Sequence, residues 1–239
     1  MNVPRSKLFL AGDRLDQLAQ AMAAGADALS IDLEDAVAEA DKVASRDAVA
    51  RLLRESRLPI QVWVRVNGAD SGHLVHDLQA LRGAHVDVIN LPKAETPGQV
   101  EFVHRMLDPL GEVPGRSHAP WIVPTIESAR GLRHAADIAA ASPRVLALQL
   151  GAGDLARSTG ITDRTAGLAT LRTLLSLAAA EAGVASLDST AHDVVELAAF
   201  EADARAARAL GMRGKSCMHA SHAAIANLVF AGASRATPP

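Results

Sequence analysis

Two carboxylates, Glu127 and Asp154, each stand just past a short apolar run in this chain. If those runs are neighbouring strands, both side chains can reach one point. Two protein oxygens with the remaining positions open is how a hard octahedral cation such as Mg²⁺ is held, and Mn²⁺ accepts similar ligands. The alternative is that one of them joins Lys93 or Arg65 in a buried ion network. Arg65 carries a planar, permanently charged fork that suits a carboxylate or a developing enolate oxygen; its other use is a salt bridge to Asp32 or Glu34. Lys93 is a Schiff-base nucleophile only if its amine is desolvated, and the carboxylates of Asp32, Glu34 and Asp35 would keep it charged. Asn67, Ser128, Asp188, Ser189 and His219 also follow apolar runs. For Asp35 and Asp188, capping of the next helix is an equal explanation.

Several patterns fall away. Gly151-Ala152-Gly153-Asp154-Leu155-Ala156 fits a loose dinucleotide fingerprint, but Asp154 would set negative charge beside a pyrophosphate and no acid follows about 20 residues on. The pairs His73/His76 and His219/His222 lack a third metal-type ligand and read as surface or capping residues. Cys217 lies in an apolar run and reads as a small core residue. Asp41, Lys42 and Arg46, like Glu201, Arg205 and Arg208, have the spacing of solvated helix faces with weak ion pairs.

The elements that must position these groups follow from periodicity. Short apolar runs at 7–11, 28–33, 60–66, 86–91, 121–125, 145–150, 184–187 and 215–218 are expected strands, buried on both faces. Helical patterns at 14–24, 38–54, 72–82, 98–107, 130–140, 165–182, 192–210 and 221–230 lie between them, with Gly25, Gly183 and Gly211 placed as left-handed C-caps. Eight βα units in 239 residues fit a single (β/α)8 barrel, with an open doubly wound sheet as the competitor. Residues 1–230 are expected to form one catalytic barrel domain and 231–239 a frayed tail.

Composition narrows the class. The chain is 49% hydrophobic with net charge −3, 3% aromatic with no Tyr, so neither a polyanion-binding surface nor base-stacking platforms are expected, and nucleic acid is excluded as a partner. One Cys rules out an intrachain disulfide and fits the cytoplasm. No apolar run reaches the length of a bilayer span or an export signal.

Taken together, the motifs resemble the citrate lyase beta-subunit branch of the HpcH/HpaI aldolase superfamily, nearly end to end. The resemblance rests on Arg5-Ser6-Lys7-Leu8-Phe9, Gly25-Ala26-Asp27, Asp32-Leu33-Glu34-Asp35-Ala36-Val37, and Lys42 with Arg46. It continues through Arg65-Val66-Asn67, Leu91-Pro92-Lys93, Ile126-Glu127-Ser128-Ala129-Arg130-Gly131-Leu132, the segment from Gly151 to Leu155, and Gly214-Lys215 with His219. It implies a (β/α)8 barrel, commonly a homotrimer or hexamer, that uses Mg²⁺ to make or break a carbon–carbon bond. Carried over by position, Glu127 and Asp154 are the metal ligands and Arg65 grips the substrate, with Asp32, Lys93 and Gly153 beside it. Glu34 and Asp35 line the pocket, Asp35 or an ordered water serving as base. The implied substrates are 3-hydroxy-acyl thioesters of CoA or an acyl carrier, of citryl, malyl or citramalyl type, cleaved to a 2-oxo acid and an acyl thioester. Class II cleavage of a free 4-hydroxy-2-oxo acid, or a weakly active subunit that binds a 2-oxo acid, are the alternatives. Ala11-Gly12, Gly153 and Ala220 depart from the usual Pro-Gly, acidic residue and Pro. The chain also ends at Pro239, so most of the C-terminal lid of longer relatives is expected to be missing.

Overall fold

The computed structural model describes residues 1–107, 119–162, 164–190 and 196–232. Eight strands form in the expected order: β1 (Ser6–Ala11), β2 (Ala28–Asp32), β3 (Gln61–Arg65), β4 (Val88–Leu91), β5 (Trp121–Ile126), β6 (Ala147–Leu150), β7 (Ala185–Leu187) and β8 (Lys215–Cys217). All pair in parallel in the order β7-β6-β5-β4-β3-β2-β1-β8. The ring is completed where Asp188 N donates to Gly214 O at 2.8 Å and Ser216 N donates to Asp188 O at 3.2 Å. This is the expected (β/α)8 barrel, and the open sheet is excluded by that closure.

Each strand sends alternate side chains to opposite faces. Leu29, Ile31, Val62, Val64, Ile89, Ile122 and Leu148 join the large core between sheet and helices. The inward residues change character along the barrel axis. At the amino ends of the strands Ala28, Trp63, Val88, Val123 and Ala147 make an apolar plug. One step further the inward positions are Lys7, Ser30, Asn90, Gln149 and Ser216, all buried. A further step along the same faces reaches Phe9, Asp32, Arg65 and Glu127. An inward polar gradient therefore lies inside runs that read as continuously apolar.

The helices are α1 (Leu18–Ala23), α2 (Lys42–Glu55), α3 (Leu74–Ala80), α4 (Pro97–Leu107), α5 (Ala129–Arg133), α6 (Ala135–Ala140), α7 (Ala152–Thr159), α8 (Arg164–Glu181), α9 (Leu197–Ala209) and α10 (Ala220–Val229). Gly25, Gly183 and Gly211 have φ of 70°, 71° and 96°, the left-handed geometry expected of them. The single helix expected at 130–140 is two, divided at His134. The start of the helix expected at 192–210 and residues 233–239 of the expected tail lie outside the described residues. No helix among the described residues is long and apolar enough to cross a membrane.

Two side-chain expectations are overturned. His222, expected at the surface or as a cap, is 1% exposed and its ring stacks on Phe200 with centroids 4.0 Å apart. Arg46 is not on a solvated helix face: it is buried, and its Nε donates to Asp77 Oδ1 at 2.7 Å. Asp77 Oδ2 also accepts from Asn67 N at 2.8 Å and Asn67 Nδ2 at 2.7 Å, so α2, α3 and the end of β3 are pinned together. Nor is Lys42 a partner on such a face, because its Nζ donates to the carbonyls of Leu33 (3.1 Å) and Glu34 (2.9 Å) and anchors the acidic loop after β2. Glu201 and Arg205 do form the expected exposed pair, at 2.6 Å.

Candidate active site

The carboxyl ends of β1 to β6 open on two adjoining cavities. The smaller, about 90 Å³, is lined by Arg65, Asn90, Thr125, Glu127, Gln149 and Asp154 among others. The larger, about 770 Å³, shares Phe9, Arg65, Gly153 and Asp154 with it and adds Asp32 and Asp35.

Asp32, at the end of β2, is almost fully buried and accepts from Arg65 Nε at 2.7 Å and Nη2 at 2.6 Å. It also accepts from the amides of Glu34 (3.0 Å) and Ala36 (3.1 Å). Its oxygens are thus committed to holding one edge of the guanidinium and the turn of the loop. Glu34 Oε2 lies 3.1 Å from Arg65 Nη1 and its Oε1 2.6 Å from Lys93 Nζ, which is itself 3.3 Å from Asp35 Oδ1. Burial opposes the charge on Arg65, but hydrogen-bonded Asp32 and nearby Glu34 and Glu127 push its pKa above the ordinary value. The same opposition of burial to Glu34 and Asp35 raises Lys93, which keeps the amine protonated and removes the Schiff-base option.

Glu127 is buried and Asp154, in the first turn of α7, is partly exposed. Glu127 Oε2 accepts the Lys93 amide at 3.2 Å. Lys93 has φ of 51°, the left-handed region, and that turn aims its N–H at the carboxylate. Burial, then the negative charges of Glu34 and Asp154, push the Glu127 pKa up to about 8, against Arg65 and Lys93. A buried carboxyl beside Glu34 and Asp154 is disfavoured as an anion unless a further cation joins it. That donor set fits a hard divalent cation. No group of three or more His, Cys, Asp or Glu residues suited to a metal occurs among the described residues, so other ligands would come from substrate and water.

The sequence profile of the HpcH/HpaI aldolase/citrate lyase family matches residues 5–220. The chain belongs to that family. A citrate lyase subunit beta-like protein of Mycobacterium tuberculosis is 36% identical over 222 residues, 90% of this chain and 74% of the relative. An L-malyl-CoA/beta-methylmalyl-CoA lyase of Cereibacter sphaeroides is 30% identical over 262 residues, 97% and 80% of the two chains. Among solved structures, the citrate lyase beta subunit of M. tuberculosis complexed with oxaloacetate and magnesium superposes with a TM-score of 0.78 at 32% identity, covering 95% of this chain and 96% of the other. This member is a carbon–carbon lyase of the citrate lyase beta-subunit-like type.

Within this lyase the barrel brings Asp32, Glu34, Asp35, Arg65, Lys93, Glu127, Gly153 and Asp154 together. Asp188 is elsewhere: among the described residues it caps no helix, and it sits in a buried cluster, with Arg172 Nη2 at 2.8 Å and Lys215 Nζ in direct contact. His219 is the N-cap residue of α10. Burial raises the Cys217 thiol to about 12, as befits a core residue. Sequence reasoning missed α7 and with it Arg157, whose guanidinium pairs with Asp154 one turn back. Gly160, left-handed at φ 72° after Ala152 and Leu155 at helical spacing, was the available signal. It also missed Phe9, Asn90, Thr125 and Gln149, hidden inside apolar runs.

Proposed function

We propose that this chain is a Mg²⁺-dependent lyase, with Mn²⁺ as a substitute. It cleaves or forms a citryl-, malyl- or citramalyl-type 3-hydroxy-acyl thioester, yielding a 2-oxo acid and an acyl thioester of CoA or an acyl carrier. The observation that carries this reading is the convergence of Glu127, Asp154 and Arg65 on one cavity. We assign residues 1–230 as the catalytic domain, in a homotrimer or hexamer as the resemblance implies, and in the cytoplasm, which the single Cys fits.

Glu127 and Asp154 would hold the cation, whose chemistry when bound is to draw charge from the oxygens of the hydroxy acid. Asp35, the exposed carboxylate on the larger cavity, takes the hydroxyl proton. The freed electron pair forms the ketone, the carbon–carbon bond breaks, and its pair passes to the thioester as an enolate. Arg65 stabilises the enolate oxygen with the N–H groups left over from Asp32 and Glu34. Glu34, buried beneath Lys93 and Arg65, fixes the separation of the two cations. The proton that Asp35 took, returned through water, protonates the enolate carbon, which frees the acyl thioester and restores the base.

The test is incubation with citryl-, malyl- and citramalyl-CoA, with Mg²⁺ or with EDTA, and chromatography of the products. One of the three yields a 2-oxo acid and an acyl-CoA, and EDTA abolishes it. Release of free CoA and an intact hydroxy acid would instead make this a thioesterase, the activity named for a 33% identical C. sphaeroides relative. Cleavage of a free 4-hydroxy-2-oxo acid without CoA would make it a class II aldolase, and 2-oxo-acid binding without turnover a binding subunit.

Gly151 gives a more local prediction. A Cβ there would overlap Glu127 Cγ and lie 2.9 Å from its Oε1. Gly151→Ala is therefore expected to displace the carboxylate and weaken Mg²⁺ binding by about tenfold or more, since that is roughly 1.4 kcal/mol of ligand geometry. Calorimetric titration with Mg²⁺ decides it; an affinity within twofold of wild type would mean that Glu127 does not depend on the glycine.

A further inference from the structure

Beneath the acidic site, the barrel holds a lysine that the proposed mechanism does not use. Lys7 is 2% exposed, and its Nζ donates to Asn90 Oδ1 at 3.3 Å and to Gln149 Oε1 at 3.1 Å. The rings of Phe9 and Trp63 each lie with their centroids 4.8 Å from the same nitrogen. Burial and the neighbouring Arg65 lower its pKa to about 7, opposed by Asp32 and Cys217.

The orientation of the Asn90 amide is fixed by partners that can play only one role. Asn90 Nδ2 donates to the Val123 carbonyl at 2.8 Å, and a carbonyl can only accept. Its oxygen is therefore the atom that faces Lys7, whichever protonation state the amine has. The second Nδ2 proton goes to Thr125 Oγ1 at 2.7 Å. Thr125 is thereby the acceptor in that bond, and its own hydroxyl proton has no acceptor among the described residues. Thr125 is 5% exposed, lines the small cavity, and lies two residues before Glu127 on the same side of β5. A buried hydroxyl proton without a partner costs free energy unless a water or a ligand in the cavity takes it.

We propose that the Thr125 hydroxyl is a substrate-binding donor to an anionic oxygen of the 2-oxo acid, with Lys7 and Asn90 as the positioning residues that direct its proton into the cavity. The inference rests on the 2-oxo-acid lyase reading above and adds to it. The chain Lys7 to Asn90 to Thr125 runs donor to acceptor throughout, so each bond polarises the next toward the cavity. The cavity is about 90 Å³, which suits a small carboxylate and not a bulky acyl group.

The experiment is calorimetric binding of pyruvate, oxaloacetate and glyoxylate, each with saturating Mg²⁺, to wild type, Thr125→Val and Thr125→Ser, with Mg²⁺ alone titrated in parallel. Thr125→Val removes the donor at nearly constant shape and is expected to raise the Kd of the tightest 2-oxo acid about tenfold. Thr125→Ser keeps the hydroxyl and is expected to stay within about threefold of wild type. The Kd for Mg²⁺ alone should move less than twofold in both, whereas a general disturbance of β5 would shift Glu127 and move it. Lys7→Met, checked for folding by its melting curve, is expected to weaken the 2-oxo acid several-fold. An unchanged Kd in Thr125→Val, or an equal loss in Thr125→Ser, overturns the donor assignment while the lyase reading stands. Wild type that binds none of the three acids overturns both.

Discussion

Glu127→Gln and Asp154→Asn are each expected to lower kcat/KM for thioester cleavage by about 10³-fold or more without loss of the fold. Both substitutions keep the side chain's size and one carbonyl oxygen while removing the negative charge that a divalent cation requires. A loss of 10³ corresponds to about 4 kcal/mol of transition-state stabilisation, within the several kcal/mol that charge withdrawal by a cation supplies. Stability should move the other way at position 127. The Glu127 carboxyl is disfavoured as an anion by burial and by Glu34 and Asp154, so its amide relieves repulsion and the melting temperature holds or rises. Steady-state kinetics with Mg²⁺, read beside thermal unfolding, separate the two effects. Turnover within tenfold of wild type in both variants would remove these carboxylates from the chemistry.

Asp188→Ala is expected to be the most damaging single change to the fold, at about 3–5 kcal/mol. Arg172 donates to Asp188 through Nε at 2.9 Å and Nη2 at 2.8 Å, and Lys215 Nζ reaches the same carboxylate. With Asp188 and Lys215 both 0% exposed at the side chain, removal of the anion leaves two buried cations sharing Asp203 alone, at 2.7 Å and 2.8 Å. The backbone of Asp188 also closes β7 onto β8, and Lys215 Nζ donates to Ser189 O at 3.0 Å, which places the cavity-lining segment Ser189-Thr190. For a domain of this size the loss corresponds to a fall of about 10 °C in melting temperature, possible to measure by calorimetry or circular dichroism. A fall under 2 °C would show that Asp203 and solvent compensate the cluster.

The strands were legible because a parallel barrel buries both faces of most of them, leaving short apolar runs between longer helical patterns, and β8, Lys215-Ser216-Cys217, by its place in that alternation. The carboxyl-end residues were legible for a related reason: the topology alone gathers Asp32, Arg65, Lys93, Glu127 and Asp154 at one rim. What was hidden depends on partners far away in sequence. Arg46 has the local spacing of a surface ion pair, yet its partner Asp77 is 31 positions on. Lys7, Asn90, Thr125 and Gln149 belong to four different strands, and nothing in any one of them marks the residue as facing the barrel axis. Helix α7 is short and glycine-rich at its start, so Asp154 read as a strand-end residue when it lies on a helix whose next turn carries Arg157.

Position 93 is where backbone and side chain ask for different amino acids. The turn after β4 bends through a left-handed residue, which glycine adopts freely and a lysine only at a cost of order 1–3 kcal/mol. The ammonium, meanwhile, is the group that holds Glu34 at 2.6 Å. A glycine would relax the chain and release the acids; a lysine settles the acids and keeps the chain under tension. One residue thus couples the two ends of the rim: tension in the turn after β4 is the local cost of keeping the acidic loop after β2 in place.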